Sequence, residues 1–149
     1  MMTKNKVIAY TDGGSRGNPG PAAIGVVIKD AEGRLVKSYG KYLGVATNNE
    51  AEYEAVVSAL QKIKALWGRE KIKNMRVEMR MDSQLVCRQL SGTYKIEEER
   101  LFPYFIKIWN LKMDFGEVLF SHIPREQNRE ADAEVNQALD REQGDLFSR

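Results

Sequence analysis

Val7-Ile8-Ala9-Tyr10-Thr11-Asp12 begins the organised part of the chain, an apolar, β-prone run that ends on a carboxylate. Gly13-Gly14-Ser15-Arg16-Gly17-Asn18-Pro19-Gly20-Pro21 follows and is dense in turn formers, so the pair reads as a strand from Lys6 to Asp12 and a glycine-rich turn. Met75-Arg76-Val77-Glu78-Met79-Arg80-Met81 is a second strand-like run, and Asp82 ends it in the same way. Two helical stripes each hold an acid. Glu52 heads Ala55, Val56, Ala59, Leu60, Ile63, Leu66 and Trp67, and Asp132 lies among Asn128, Ala131, Val135, Ala138 and Leu139. A lone carboxylate facing a core is costly and would take up a proton instead. Four such carboxylates, Asp12, Glu52, Asp82 and Asp132, point to a cluster neutralised by divalent metal.

Outward from these runs the elements fall in order. Ala22 to Asp30 is β-prone, Ala31-Glu32-Gly33 turns, and Arg34 to Leu43 alternates, which predicts an antiparallel meander. Thr47-Asn48-Asn49-Glu50 is a capping box that starts the first long helix. Ser83 caps a short helix from Gln84 to Leu90. A helical segment from about Glu98 to Met113 puts Leu101, Phe105, Ile108 and Leu111 or Lys112 on one side, with Pro103 tolerable only near its first turn. Val118 to Ile123 is the last strand. Trp67, Trp109 and the Met75/Met79/Met81 row read as core, whereas Arg80 on a central strand has no explanation in the pattern. The expected fold is α/β: a five-stranded mixed sheet, meander plus crossover-linked parallel strands, flanked by helices. One domain over 1–149 is expected, with its core at about 5–140 and a fraying tail at 142–149.

Composition narrows the class. Of 149 residues, 42% are hydrophobic and 30% charged, as in a soluble globular domain. No apolar run approaches the roughly 20 residues that cross a membrane, and Met1 to Lys6 has no signal-peptide pattern. The single cysteine, Cys87, excludes an internal disulfide and suits a reducing cytosol. With His122 the only histidine, a zinc site of Cys and His alone is excluded too. A cytoplasmic monomer is the expectation. The net charge of +2 is uneven: residues 1–75 hold 12 Lys and Arg against 7 Asp and Glu, and residues 76–149 hold 11 against 14. Metal on the four carboxylates would make the active face attractive to a polyanion.

Oxygen ligands without histidine or thiolate favour Mg²⁺, or Mn²⁺ as a substitute, and Mg²⁺ implies a phosphate substrate. Four carboxylates can hold two ions about 4 Å apart, the arrangement that clamps attacking and leaving oxygens in phosphoryl transfer. Taken singly, Asp12 and Asp82 also suit strand-end turns, and Glu52 suits a helix first turn favoured by the dipole. The glycine-rich stretch is no nucleotide-binding P-loop, since it lacks Gly-Lys-Ser/Thr and leads into a β-prone run.

Tyr10-Thr11-Asp12-Gly13-Gly14-Ser15-Arg16-Gly17-Asn18-Pro19-Gly20, Thr47-Asn48-Asn49-Glu50-Ala51-Glu52, Asp82-Ser83-Gln84 and Asn128-Arg129-Glu130-Ala131-Asp132 resemble, in order and approximate spacing, the successive motifs of type 1 ribonuclease H. The resemblance covers about residues 5–140. It implies the RNase H-like fold and cleavage of the RNA strand of RNA–DNA hybrids, leaving 5′-phosphate and 3′-hydroxyl ends. It also implies that Asp12 and Asp82 anchor the ions, Glu52 holds one ion and orients RNA, and Asp132 positions the attacking water and aids product release. Asn18, Asn48, Asn49 and Gln84 are short amides suited to base edges and 2′-hydroxyls in a wide minor groove. Gly13 would let backbone approach closely, and Thr47 completes the substrate-binding set. Each also has an ordinary reading: Asn18 before Pro19 as a turn, Thr47 as a cap, Asn48 in a first turn, the glycines as turn geometry.

The chain departs from the family in three places. Many members have a mobile histidine before the last helix, where this chain has only Pro124-Arg125-Glu126-Gln127. His122 reads as strand, and Arg125 is the candidate electrostatic replacement. Many also carry a basic, tryptophan-containing protrusion; Ser91 to Arg100 is short and holds Glu97-Glu98-Glu99. An arginine that often binds DNA phosphate is Val45 here. Weaker grip on the hybrid follows. Two other readings stay open: a broader nuclease that also cuts double-stranded RNA, and a non-catalytic nucleic-acid-binding module on the same fold.

Overall fold

Strand alternation sorts the sheet before any helix packs on it. In the strand Met75–Met81, residues Met75, Val77, Met79 and Met81 are buried, while Arg76, Glu78 and Arg80 face the other way. The computed structural model of the chain describes residues 5–147, and side chains through residue 144. The elements are β1 (Asn5–Ser15), β2 (Gly20–Asp30), β3 (Leu35–Ala46), α1 (Asn48–Trp67), α2 (Arg69–Ile72), β4 (Met75–Met81), α3 (Gln84–Leu90), α4 (Phe102–Lys112), β5 (Glu117–His122) and α5 (Arg129–Phe147). Short 3₁₀ turns, Glu99–Leu101 and Arg125–Gln127, lead into α4 and α5. The sheet order is β3-β2-β1-β4-β5. β1, β2 and β3 pair antiparallel, and β4 pairs parallel with β1 and with β5, so the expected mixed sheet is present.

One face of the sheet carries the main core. Val7, Ala9, Ile24, Val26, Ile28 and Val77 meet Tyr53, Val56, Leu60 and Ile63 of α1, and α4 closes the layer through Ile108. On the other face α5 lies across β1, β2 and β3 and buries Val135, Ala138 and Leu139 against Ala23. Its close approach needs Gly25, where a Cβ would overlap the Ala131 carbonyl oxygen.

Several expectations change. The segment after Asp12 is no turn: β1 runs through Ser15, paired with Ala22, and the reversal falls at residues 16–19. Ladder pairing with β2 outweighs the local preference of Gly13 and Gly14. Trp109, expected in the core, is 54% exposed and stacks on Phe105, because the buried side of α4 is carried by Ile108, with Leu101 of the preceding 3₁₀ turn buried beside the same core. Leu66 at the end of α1 is 46% exposed. The last helix continues to Phe147, past the point where fraying was expected. The N-terminal Met1–Lys4, part of the signal-segment expectation, and residues 148–149 of the expected tail lie outside the described residues. Among the described residues no helix is long and apolar enough to cross a membrane.

Candidate active site

The parallel register of β1 and β4 sets Thr11 opposite Met81, so Asp12, still paired with Gly25 of β2, and Asp82, the first residue past the end of β4, come side by side. Glu52 arrives from above. The capping box fixes the start of α1: Thr47 Oγ1 accepts from Glu50 N at 3.1 Å, and Glu50 Oε1 accepts from Thr47 N at 3.0 Å. Gly13 lets that helix settle on the strand, since a Cβ there would overlap the backbone of Ala51 and Glu52. The result is a carboxylate trio, Asp12, Glu52 and Asp82, whose nearest oxygens all lie within 4.8 Å of one another.

The trio is electrostatically uncomfortable without a cation. Burial, then the charges of Asp82 and Asp132, push the Asp12 carboxyl up from its ordinary 3.8 to about 7. Glu52 is raised well above the carboxylate range, first by burial and then by Asp12 and Asp82. Both shifts have the sign that a bound divalent cation reverses. The donor set is all carboxylate oxygen, so the residues fit Mg²⁺ or Mn²⁺.

Asp132 stands apart from the trio. It is exposed, beside rather than within the buried stripe of α5, which corrects the expectation of an acid inside an apolar face. It still reaches Asp12 electrostatically and lines the same cavity of about 450 Å³. Gly13, Asn48, Asn49, Ser83 and Arg125 also line that cavity. A neighbouring hollow of about 480 Å³ shares Asn48 and Asn49 and adds Asn18, Thr47 and Arg100. Gln84 is exposed at the start of α3, next to Ser83, and lines neither hollow. His122 ends β5 outside both.

The amides are partly spent on the fold. Asn18 Oδ1 accepts from Asn48 N at 3.0 Å, and Asn48 Oδ1 accepts from Ser15 N at 2.9 Å, which ties the β1–β2 reversal to the head of α1. Their side-chain nitrogens make no hydrogen bond to the described residues; those of Asn48 and Asn49 remain as donors beside the carboxylates, and that of Asn18 lines the neighbouring hollow.

Residues 10–138 match the family model described as reverse transcriptase-like. A solved RNase H1 isolated from compost, LC11-RNase H1, is 49% identical with a TM-score of 0.85, over 92% of this chain and 97% of that one. This chain belongs to the type 1 ribonuclease H family. The same compost enzyme has been solved in complex with an RNA/DNA hybrid, at 48% identity and a TM-score of 0.85 over 91% and 97% of the two chains. Ribonuclease HI of Halobacterium salinarum is 42% identical over 91% of this chain, which spans 65% of that relative's length.

Within this ribonuclease H fold, Asn128 has a site position that motif reading left without a role. Its Nδ2 donates to the Thr11 carbonyl at 2.9 Å and to Asp82 Oδ2 at 3.0 Å, bridging β1, Asp82 and the start of α5. Its spacing suits the helical stripe, but it precedes the helix and is 1% exposed. A buried amide four residues before an acid was the available signal. Arg16 was likewise missed; it bonds Asp140 and Gln143 and anchors the β1–β2 reversal to α5.

Proposed function

We propose that the chain is an endonuclease that hydrolyses the RNA strand of RNA–DNA hybrids with two divalent cations, Mg²⁺ in the first instance, leaving 5′-phosphate and 3′-hydroxyl ends. The observation that carries this reading is the Asp12–Glu52–Asp82 trio, held within 4.8 Å at the floor of an amide-lined cavity. A relative of similar fold that has been solved on an RNA/DNA hybrid supports the substrate. Asp12, Glu52 and Asp82 would hold the cations together with Asp132 at the rim. Bound cations would supply Lewis acidity at the reacting phosphate and stabilise charge on the attacking and leaving oxygens.

The chain's own groups account for the rest. Asn48 and Asn49 offer amide donors beside the carboxylates, where minor-groove edges and 2′-hydroxyls would pass, and Asn18 and Thr47 line the hollow next to them. Gln84 would reach the same groove from the head of α3, and the Gly13 backbone brings α1 close enough to complete the floor. Asp132, exposed and facing the cavity, is placed to hold a water or take up a proton as product leaves. Arg125 on the 3₁₀ turn brings positive charge to the mouth of the cavity. With Cys87 buried and reduced, we read the protein as a cytoplasmic monomer.

Labelled RNA–DNA, RNA–RNA and DNA–DNA duplexes, each incubated with Mg²⁺, Mn²⁺ or EDTA, test the assignment. Cleavage confined to RNA strands and lost in EDTA is expected, with 5′-phosphate ends on the products. Cutting of DNA–DNA, or cutting in EDTA, would refute it. Cleavage of RNA–RNA would extend the substrate range, in keeping with the short Ser91–Glu98 connection. Hybrid binding without cleavage under any metal would leave a binding module.

A further inference from the structure

Arg80 is a charged residue on a strand with neighbours on both sides, and sheet register explains it. β1 and β4 are parallel with Tyr10 opposite Arg80, and residues two apart on a strand share a face. Tyr10 and Arg80 therefore form the row directly behind Asp12 and Asp82. There Arg80 Nη1 donates to Tyr10 Oη at 2.8 Å, its guanidinium carbon lies 5.5 Å from the Tyr10 ring centroid, and its Nε donates to Glu78 at 3.0 Å. From β2, Lys29 Nζ lies 5.3 Å from the same ring and donates to Glu130 of α5 at 2.9 Å. Cation–ring contacts of this kind strengthen when the cation is partly desolvated, as the Lys29 and Arg80 side chains are.

The connected elements are the informative part. β4 carries Asp82, β1 carries Asp12, and α5 carries Asp132, while none of Arg80, Tyr10, Lys29 and Glu130 lines the carboxylate cavity. We propose that Arg80, Tyr10, Lys29 and Glu130 form a clasp that positions the carboxylates, fixing β4, β1 and the first turn of α5 relative to one another so that Asp82, Asp12 and Asp132 keep the spacing a divalent cation requires. The proposal rests on the metal-dependent reading above. These are positioning residues, acting through the elements they join.

Field and position have opposite signs here, which makes the proposal testable. If Arg80 acted only through its charge, its removal would tighten cation binding. As a positioning group, its removal loosens the carboxylates and weakens binding. Arg80→Met removes the guanidinium, Tyr10→Leu removes the ring without changing charge, and Tyr10→Phe keeps the ring as the conservative rescue. The measurements are calorimetric Mn²⁺ affinity, thermal midpoint in EDTA, hybrid affinity in Ca²⁺, and kcat against Mg²⁺ concentration. Cation affinity should fall about three- to tenfold in Arg80→Met and Tyr10→Leu, below the 10- to 100-fold typical of groups bonded directly to ligands. It should fall less in Tyr10→Phe, and the double variant should lose less than the sum of the single losses. Hybrid affinity and kcat at saturating Mg²⁺ should stay unchanged. Unchanged or tightened Mn²⁺ affinity in folded Arg80→Met and Tyr10→Leu overturns the clasp. A wild type that binds Mn²⁺ but cuts no hybrid sinks the functional reading alone, and the calorimetry still decides the clasp; a wild type that binds no divalent cation overturns both.

Discussion

The heads of α1 and α5 each deliver a carboxylate to one cavity, and they are secured in different ways. α1 is locked locally, by the Thr47–Glu50 capping box and by backbone contact at Gly13. Its acid, Glu52, is consequently held against Asp12 and Asp82 with a strongly raised proton affinity. α5 is secured through tertiary bonds from Asn128, and its acid, Asp132, remains exposed at the rim with Asn136 Nδ2 3.4 Å from its Oδ2. The contrast separates a trio held at close spacing from a fourth acid that stays exposed, as the proposed water-positioning or product-releasing role requires.

The strongest way to break that contrast is to compare Asp12→Asn with Asp132→Asn. Asp12→Asn preserves volume and removes ligand charge, so turnover should fall by more than about 10³-fold, as loss of several kcal/mol of transition-state stabilisation implies. Asp132→Asn should be milder, by about 10- to 100-fold. Equal losses in a steady-state hybrid-cleavage assay would erase the distinction between floor and rim. Asn128→Ala sharpens the same point from the α5 side. It should weaken cation binding by about tenfold or more and destabilise the fold by about 1–3 kcal/mol through the buried acceptors left unpaired; calorimetry and denaturant unfolding read the two effects separately.

A smaller effect is expected in the pH dependence of metal-free stability. Asp12 has a folded pKa of about 7 against 3.8, so the fold favours its protonated form. Its contribution is intact below about pH 4 and is lost as pH rises toward 7. In EDTA the wild type should therefore lose on the order of 2–4 kcal/mol between pH 4 and pH 8, and Asp12→Asn should lose less. Melting curves at the two pH values check this, and added Mg²⁺ should restore the wild type at pH 8. A wild type more stable at pH 8 than at pH 4 in EDTA would contradict the strained trio.

The smallest effect concerns grip. Log-affinity falls with log-salt by about 0.9 per phosphate neutralised on B-DNA. With Glu97-Glu98-Glu99 in the short connection and Val45 73% exposed where an arginine would reach phosphate, the salt slope for hybrid should be shallower than that of a protrusion-bearing relative. A titration in Ca²⁺ with metal-ligand variants of both proteins measures it. An equally steep slope would move the grip to another basic surface, with Lys29, Lys37 and Lys41 the first to substitute.

Much of this protein was legible in one dimension because the governing rules are local. Alternation marked the strands ending near Asp12 and Asp82, a four-residue box marked the start of α1, and helical spacing marked the face holding Ala55, Val56, Ala59 and Leu60. The acids were visible as residues in the wrong company, since an unpaired carboxylate among apolar neighbours needs a reason wherever it lies. What local pattern could not give was anything set by a partner distant in sequence. Gly13 and Gly14 look like a turn until β2 pairs with them. Trp109 looks like core until Ile108 takes the inner side of α4. Asp132 looks buried until the helix is rotated onto the sheet, Asn128 has no evident task until Asp82 is beside it, and Arg80 has none until the parallel register sets it against Tyr10. Periodicity reports which residues share a face, but which partner that face meets, and how far each side chain sits from its edge, is decided by packing energy summed over the whole fold.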